Sequence, residues 1–208
     1  MTRDASEGAA IRGNAAPLSC PGTIPHDGGM TPSLGTLTTV PALDRPDLLA
    51  DPVAAALRAW PGAAEVGVVE IDPGLADTAA LCEAADLPLE ASANCVVVMG
   101  RRDGDERVAA CVVAADTRAD VNTTVRKLLD VRKCSFLPME RAVEESGMEY
   151  GGITPVGLPA GWRLLVDARL RDVPVAVIGS GVRRSKLLLP GSSLTALPAA
   201  EVVEGLGR

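Results

Sequence analysis

The stretch that most constrains the fold is residues 145–157, ESGMEYGGITPVG, because neither one helix nor one strand fits it. It contains four glycines and one proline. Gly151 and Gly152 allow backbone angles that side chains forbid, and they leave amide N–H groups uncovered. Pro155 stiffens the loop and pushes Thr154 towards extended geometry. Such a loop can bind a ligand oxygen through its amides, although a plain connector between a helix and a strand fits the same residues.

Length and composition predict one domain with an aliphatic core. The 208 residues are 47% hydrophobic but only 2% aromatic, so Ala, Val and Leu must fill the interior. The sequence has neither an apolar run long enough to span a membrane nor an apolar leader pattern. Its five cysteines are an odd number without a CxxC pair, which is typical of free thiols in a reducing compartment. We therefore expect a cytoplasmic protein.

Residues 1–46 are predicted to be a poorly ordered tail, and residues 47–208 the folded domain. The tail is rich in Gly, Pro, Ser and Thr and lacks a periodic apolar pattern, so we expect residues 1–40 to be dispensable for stability. The sequence leaves open whether translation starts at Met1 or Met30.

The pattern of apolar residues in the domain predicts the α+β class. Strands are expected at 65–71, 93–99, 107–115, 163–166, 173–178 and 186–189, and helices at 46–60, 75–85, 123–129 and 138–146. Asp103-Gly104 predicts a hairpin turn, and Asn122 is expected to cap a helix. Because helices and strands alternate without a regular period, a βαβ fold is not expected.

The residue inventory excludes several kinds of catalytic site. The one histidine, His26, lies in the predicted tail, so Ser–His, Cys–His and His–metal sites are not expected in the domain. No P-loop and no GxGxxG after a strand is present. Cys95 and Cys111 lie within apolar strand patterns and are interpreted as inert core thiols. Neither a metal nor a cofactor is expected.

Charge is distributed unevenly along the chain. Residues 1–90 carry a net charge of −9 and residues 91–208 a net charge of +2. The overall acidity argues against a DNA-binding protein. Basic residues nevertheless form two clusters, which we interpret as phosphate contacts or as solvated surface: Arg126, Lys127, Arg132 and Lys133, and then Arg183, Arg184 and Lys186. Asp167 follows a predicted strand, where a carboxylate caps a helix or binds a ligand hydroxyl or amine.

The order of these motifs resembles the YbaK family, the editing domain associated with prolyl-tRNA synthetase. The similarity covers roughly residues 65–197. It is carried by the helix NTTVRKLLD at 122–130, by Pro138-Met139, by Ser146-Gly147 leading into the GGITPVG loop at 151–157, and by Gly179-Ser180-Gly181 before a strand. The resemblance implies an α+β fold with a mixed sheet and flanking helices around a small pocket.

The resemblance also implies an activity, namely hydrolysis of mischarged aminoacyl-tRNA. Family members act on tRNA carrying the wrong amino acid, typically Ala or Cys on a proline tRNA. The implied partners are the acceptor end of aminoacyl-tRNA and a synthetase, with neither membrane nor DNA. The implied catalytic residues are Asn94, Gly151, Gly152 and Asp167, and the implied substrate-binding residues are Ile153, Thr154, Pro155, Gly157, Gly179, Ser180 and Gly181. The two basic clusters are the implied tRNA contacts.

One position departs from the family pattern. The family has a lysine where this chain has Asn94, and an amide can donate a hydrogen bond but carries no charge. Two hypotheses follow for this fold: a deacylase of altered specificity, or a catalytically silent module that binds tRNA or a synthetase. A small-molecule-binding protein of amino-acid metabolism is a third. Turnover of a mischarged tRNA would distinguish the first from the other two.

Overall fold

The computed structural model describes residues 31–208, and the strands found in this range form two sheets. The four-stranded sheet has the order β1-β2-β8-β7 and is antiparallel throughout. The five-stranded sheet has the order β5-β3-β4-β6-β9. The strands are β1 (Val40–Pro41), β2 (Gly67–Glu70), β3 (Ala93–Arg102), β4 (Asp105–Ala114), β5 (Cys134–Phe136), β6 (Arg163–Asp167), β7 (Ala176–Gly179), β8 (Ser185–Leu189) and β9 (Ala200–Val203).

The five-stranded sheet is mixed. Its centre is the long β3–β4 hairpin, whose turn residues Asp103 and Gly104 both have positive φ, as a two-residue hairpin loop requires. This part of the sequence prediction is confirmed. On one side β5 pairs antiparallel with β3, and on the other β6 and then β9 add in parallel. The α+β class is confirmed, with the strands divided between two sheets.

Short helices connect the strands. They are α1 (Asp51–Ala59), α2 (Thr78–Ala85), α3 (Arg126–Leu128), α4 (Met139–Ser146) and α5 (Gly191–Thr195), with a π-helical turn at Val121–Val125 directly before α3. Asp77 caps α2, because its carboxylate accepts from the amides of Ala79 and Ala80. The cap predicted at Asn122 is wrong. Asp120 accepts from the amide and hydroxyl of Thr124 instead, since the wider π turn begins two residues earlier.

The interior is aliphatic, as the scarcity of aromatic residues predicts. Val53 and Leu57 of α1 pack between the sheets against Leu187 of β8, Val112 of β4 and Val166 of β6. A second cluster covers the other face of the five-stranded sheet, where Val98, Cys111 and Leu165 meet Val125 and Leu129. The five-stranded sheet is therefore covered on both faces. Within residues 31–208, no helix is both long and apolar enough to cross a membrane.

Residues 31–46, expected to belong to the tail, are part of the fold. Val40–Pro41 pairs antiparallel with β2, Ala42 is fully buried, and Leu37 packs beside α2. The predicted tail is too long because its boundary rested on periodic apolar patterns. A two-residue edge strand and single buried residues produce no such pattern. Residues 1–30, including His26 and Cys20, lie outside the described residues.

Candidate active site

A small cavity of about 60 Å3 lies where the two sheets meet. Ser92, just before β3, forms a parallel bridge with Val177 of β7 and so joins the sheets at this point. The cavity is bordered by α2, the start of β3, the Gly-rich loop, β7 and β8. Its walls are formed by Ala76, Thr78, Leu81, Ser92, Ala93, Asn94, Gly151, Ile153, Val177, Ile178, Gly179 and Lys186.

Asn94 contributes an amide to this cavity. The hydroxyl of Thr78, the first residue of α2, donates to Asn94 Oδ1 at 2.8 Å. The Asp77 cap fixes where α2 begins and thereby places Thr78 opposite Asn94. With its oxygen occupied, Asn94 offers its N–H groups to a ligand. Strand alternation turns the next residue, Cys95, towards the core between the sheets.

Lys186 lies in the same cavity, which corrects its expected role as a surface contact to tRNA phosphate. It is only 7% exposed, and its Nζ donates to the carbonyl of Ala76 at 2.8 Å. An ammonium has three N–H donors, and this bond uses one of them. Burial lowers the pKa of Lys186, and the neighbouring Asp77 carboxylate partly opposes this shift. Alternation along β8 does not reveal this position, because it depends on how the two sheets pack.

The first half of the Gly-rich loop forms one wall of the cavity. Gly151 has a φ of +83°, which favours glycine, and its neighbour Gly152 donates to the carbonyl of Glu149. The carbonyl of Gly152 in turn accepts from the amide of Gly181 at 2.8 Å. A side chain at Gly179 would collide with this Gly152 carbonyl. The two glycine-containing segments, 149–153 and 179–181, are therefore bound together through their backbones.

The second half of the loop lies elsewhere. Pro155 and Gly157 border a separate, apolar cavity of about 300 Å3, together with Trp60 and Trp162. This cavity is larger, but its walls contain no charged side chain, so it lacks groups for hydrolysis. Thr154, between the two halves, is fully buried. Of the implied substrate-binding loop residues, the structure brings only Ile153 to the small cavity.

Ser180 and Gly181 shape the neighbouring loop and do not border the cavity. Ser180 is fully buried, and its hydroxyl is hydrogen-bonded to Ser185 Oγ at 2.7 Å. Gly181 has a φ of +86° and packs against Ala50. Gly179 does border the cavity.

Asp167 has a structural position, which corrects the catalytic role implied for it. Its fully buried carboxylate accepts from the amides of Arg169 and Gly207 and pairs with the Arg169 guanidinium at 2.9 Å. These bonds hold its pKa below the ordinary value although burial alone would raise it. Asp167 thus begins the 3-10 turn Ala168–Asp172 and anchors the C-terminal residues. Helix capping was the alternative that the sequence left open.

The remaining basic residues lie on the surface. Lys127, Arg132 and Lys133 are exposed, whereas Arg126 is partly buried and donates to the carbonyl of Asn122. Arg183 and Arg184 are also exposed and hydrogen-bond to backbone carbonyls of Pro73 and Asp47, respectively. The exposed positions of these side chains are compatible with contacts to phosphate groups.

The cysteines are poor nucleophiles. All four that the structure describes are free thiols, and Cys111 is fully buried. Burial raises the pKa of Cys95 to about 12 and raises that of Cys111 further still. Neither thiol therefore ionises at neutral pH, which fits their interpretation as inert.

Sequence reasoning missed two polar residues of the cavity, Thr78 and Ser92. Thr78 bonds to Asn94, and the Ser92 hydroxyl lies 3.3 Å from Cys82 Sγ. The sequence predicted a helix at 75–85, but it did not indicate which element that helix would face.

Comparison with known proteins identifies the family and the fold. Residues 72–197 match the family model for the aminoacyl-tRNA editing domain. A crystal structure of a proposed trans-editing enzyme for prolyl-tRNA synthetase superimposes with a TM-score of 0.65 at 22% identity, covering 76% of this chain and 96% of that one. Another crystal structure, of a hypothetical protein, gives a TM-score of 0.60 at 20% identity over 68% of this chain and 90% of that one.

No curated protein sequence gave a significant match. At such identities the structural likeness establishes the fold alone, whereas the family model spans more than half of the chain and includes α2, β3, the Gly-rich loop and β8. The chain therefore belongs to the aminoacyl-tRNA editing domain family.

Proposed function

We propose that the protein is an aminoacyl-tRNA deacylase that acts in trans on mischarged tRNA. The observation that supports this most directly is that Asn94 and Lys186 both border the same small cavity. An amide and an ammonium are both donors, and ester hydrolysis passes through an intermediate whose former carbonyl oxygen is negatively charged. Donors fixed in advance around that oxygen stabilise the transition state.

The proposed reaction requires no nucleophile from the protein. A water oxygen attacks the ester carbonyl carbon, and the bond to the ribose oxygen breaks. When water attacks, it supplies one proton to the leaving ribose oxygen, so the products are a free amino acid and an uncharged tRNA. Asn94 and Lys186 hold the developing oxyanion, while Gly151 and Ile153 close the wall behind it.

Lys186 would supply the positive charge that the family pattern places at position 94. The ammonium comes from β8 in the other sheet, so the cation approaches the cavity from the opposite wall. Asn94 then acts as a neutral hydrogen-bond donor. This arrangement would allow the domain to be active without a lysine on β3.

The cavity favours a small amino acid. Its volume is only about 60 Å3, which leaves room for a few water molecules. Ile153, Val177 and Ile178 are apolar walls that a larger side chain would have to displace. We therefore propose substrates charged with an amino acid of the size of alanine, serine or cysteine. The proposed partners are the acceptor end of such a tRNA and a synthetase, in the cytoplasm.

A deacylation panel tests the proposal. Purified protein is incubated with tRNAs charged with alanine, serine, cysteine or leucine, and loss of the ester is followed over time. We expect turnover of at least one small amino acid, little of leucine, and a loss of at least tenfold in Lys186→Met. Arg58→Met, which removes an exposed cation outside the two basic clusters, is the control. Turnover that Lys186→Met leaves unchanged would contradict the proposed role of the ammonium.

The alternative is a catalytically silent module that binds tRNA or a synthetase. The observation that favours it is Asn94 itself, because the resemblance implies a lysine at this position. Under this alternative the same panel gives no turnover, while uncharged and charged tRNA bind with saturation. Turnover by the unmodified protein above the spontaneous rate would exclude it.

A further inference from the structure

A groove leads from the cavity to the surface, and its rim carries exposed aromatic side chains. Ala76, Thr78, Asn94, Gly151 and Ile153 border both the cavity and a groove of about 480 Å3 outside it. Phe136 and Tyr150 lie on the outer rim of this groove and are 65% and 62% exposed. A molecule with its acyl group in the cavity can therefore extend along this groove.

The two aromatic residues stand out in a chain that has so few. The other two, Trp60 and Trp162, are partly buried beside the apolar cavity. Exposed aromatic rings bury little surface within the fold, so packing does not explain their position. Phe136 also borders a second groove, of about 570 Å3, which continues from Asn94 along the face of β3.

The charges around the groove are compatible with a nucleic acid. The Arg183 guanidinium lies 3.4 Å from the carbonyl of Tyr150, and the exposed Lys133 precedes β5, which carries Phe136. Asp77 also borders the groove, but its carboxylate caps α2 and is held by backbone amides. Glu149 accepts from the amide of Arg183. One cation therefore contacts the backbone of Tyr150, and another precedes the strand that carries Phe136.

We infer that Phe136 and Tyr150 form a stacking platform for the unpaired 3′ bases of the tRNA. The inference rests on the proposed function, since an ester bound in the cavity places its terminal nucleotide in the groove. Every tRNA ends in the single-stranded sequence CCA, and aromatic side chains bind single-stranded bases by stacking without regard to sequence. The platform would thus hold the 3′ tail of any tRNA, while the cavity selects the amino acid.

Binding of an uncharged RNA tests this inference separately from hydrolysis. The probe is a fluorescent RNA minihelix with a single-stranded ACCA tail, and the comparison is the same minihelix without the tail. We expect Phe136→Ala and Tyr150→Ala each to weaken binding of the tailed RNA by at least about fivefold, which is the lower end for one stacked base. Binding of the tailless RNA should not change.

Matched variants separate stacking from a general loss of apolar surface. Phe136→Trp and Tyr150→Phe keep a ring and should bind as the unmodified protein does. Leu43→Ala removes a side chain that is 42% exposed and borders none of these grooves, and it should leave binding unchanged. Thermal melting of each variant checks that the fold is intact.

The outcomes also distinguish this inference from the proposed function. If the protein hydrolyses no ester but binds the tailed RNA through Phe136 and Tyr150, the platform stands and the deacylase proposal fails. If it hydrolyses the ester and both alanine variants bind the tailed RNA normally, the platform is refuted. An equal loss of affinity for tailed and tailless RNA in the alanine variants would also refute the platform. Alanine variants that lose binding to a synthetase while RNA binding is unchanged would refute it too, and would assign the rings to a protein interface.

Discussion

A buried lysine is costly to keep charged, and Lys186 is held almost entirely out of solvent. Its Nζ has one backbone acceptor, and the charged groups nearest to it are Asp77, which favours the ammonium, and Arg183, which disfavours it. Such an environment is destabilising unless a ligand supplies negative charge. An oxyanion at the cavity would do so, which ties the unusual position of this residue to the proposed chemistry.

The lowered pKa makes a prediction for stability. In the unfolded chain Lys186 has its ordinary pKa of 10.5, and in the folded chain burial lowers that pKa. Between the two values the unfolded state binds more protons, so the free energy of unfolding rises with pH in this window. Each unit of lowering contributes about 1.4 kcal/mol to the rise. Denaturant unfolding of the protein and of Lys186→Met at several alkaline pH values measures it.

The expected result is a stability difference that changes with pH. The unmodified protein should become more stable relative to Lys186→Met as pH rises through the window. The lost bond to Ala76 lowers the stability of the variant by a constant amount and does not produce this trend. Lys127→Met, at an exposed position, should run parallel to the unmodified protein. A constant difference between the protein and Lys186→Met would show that the lysine pKa is not lowered.

Asn94 gives a second prediction at the scale of one residue. If its amide stabilises the transition state, Asn94→Ala should reduce turnover at least tenfold, which corresponds to about 1.4 kcal/mol of barrier. Thr78→Val removes the hydroxyl that orients the amide and should have a smaller effect, mainly on kcat. Asn94→Lys should retain or raise activity. Single-turnover deacylation measures all three, and unchanged hydrolysis in Asn94→Ala would remove this residue from the site.

The sequence predicted the positions of some residues of the site but not of others. Asn94, Gly151 and Gly152 follow from motifs that are local in the chain. The structure places Asn94 and Gly151 on the cavity wall, whereas Gly152 is buried and bonded to Gly181. Lys186 and Asp167 were both assigned from short patterns, and both lie elsewhere than implied. Their positions depend on which strands pair across the molecule, and the spacing of residues along one strand does not encode this.

At the scale of elements, the Gly-rich loop and the segment 179–181 form one unit. A side chain at Gly152 would lie 2.9 Å from the backbone of Val182, where no rotamer change can relieve the contact. We therefore expect Gly152→Val to displace the loop and to abolish hydrolysis. Cys95 packs against the core between the sheets and also borders the groove, and Cys95→Ser should leave most activity intact because the thiol is not ionised. Rates for both variants, with melting curves, provide the measurement. Loss of activity in Cys95→Ser with a fully active Gly152→Val would indicate a thiol mechanism instead.

The elements themselves were predictable where their pattern is local. The β3–β4 hairpin follows from two apolar runs around Asp103-Gly104. The predicted helix at 138–146 also forms, and Gly147 in the left-handed conformation ends it. The edge strands β1, β5 and β9 were not predicted. They are only two to four residues long and are partly exposed. They form because the neighbouring strand has backbone N–H and C=O groups that need hydrogen-bond partners.

At the scale of the whole molecule, residues 31–46 connect the edge of the four-stranded sheet to the site. The amide of Thr36 donates to the carbonyl of Ala85, so this segment covers the end of α2. Leu37 packs in the cluster that contains Leu81 and Val177, both of which border the cavity. The segment thus supports α2, and α2 in turn presents Thr78 to Asn94.

Two truncations test this connection. Deletion of residues 1–30 should leave the melting temperature within about 3 °C, because the composition of that stretch predicts little burial. Deletion of residues 1–40 removes Leu37 as well, and burial of one leucine contributes about 1.5–3 kcal/mol. One kcal/mol shifts the midpoint by about 2–4 °C in a protein of this size, so we expect a fall of about 3–12 °C, larger than that of the shorter truncation, and weaker hydrolysis. Leu37→Ala in the full chain is the matched control and should reproduce most of the fall. Equal melting temperatures for the two truncations would show that residues 31–40 do not support the fold.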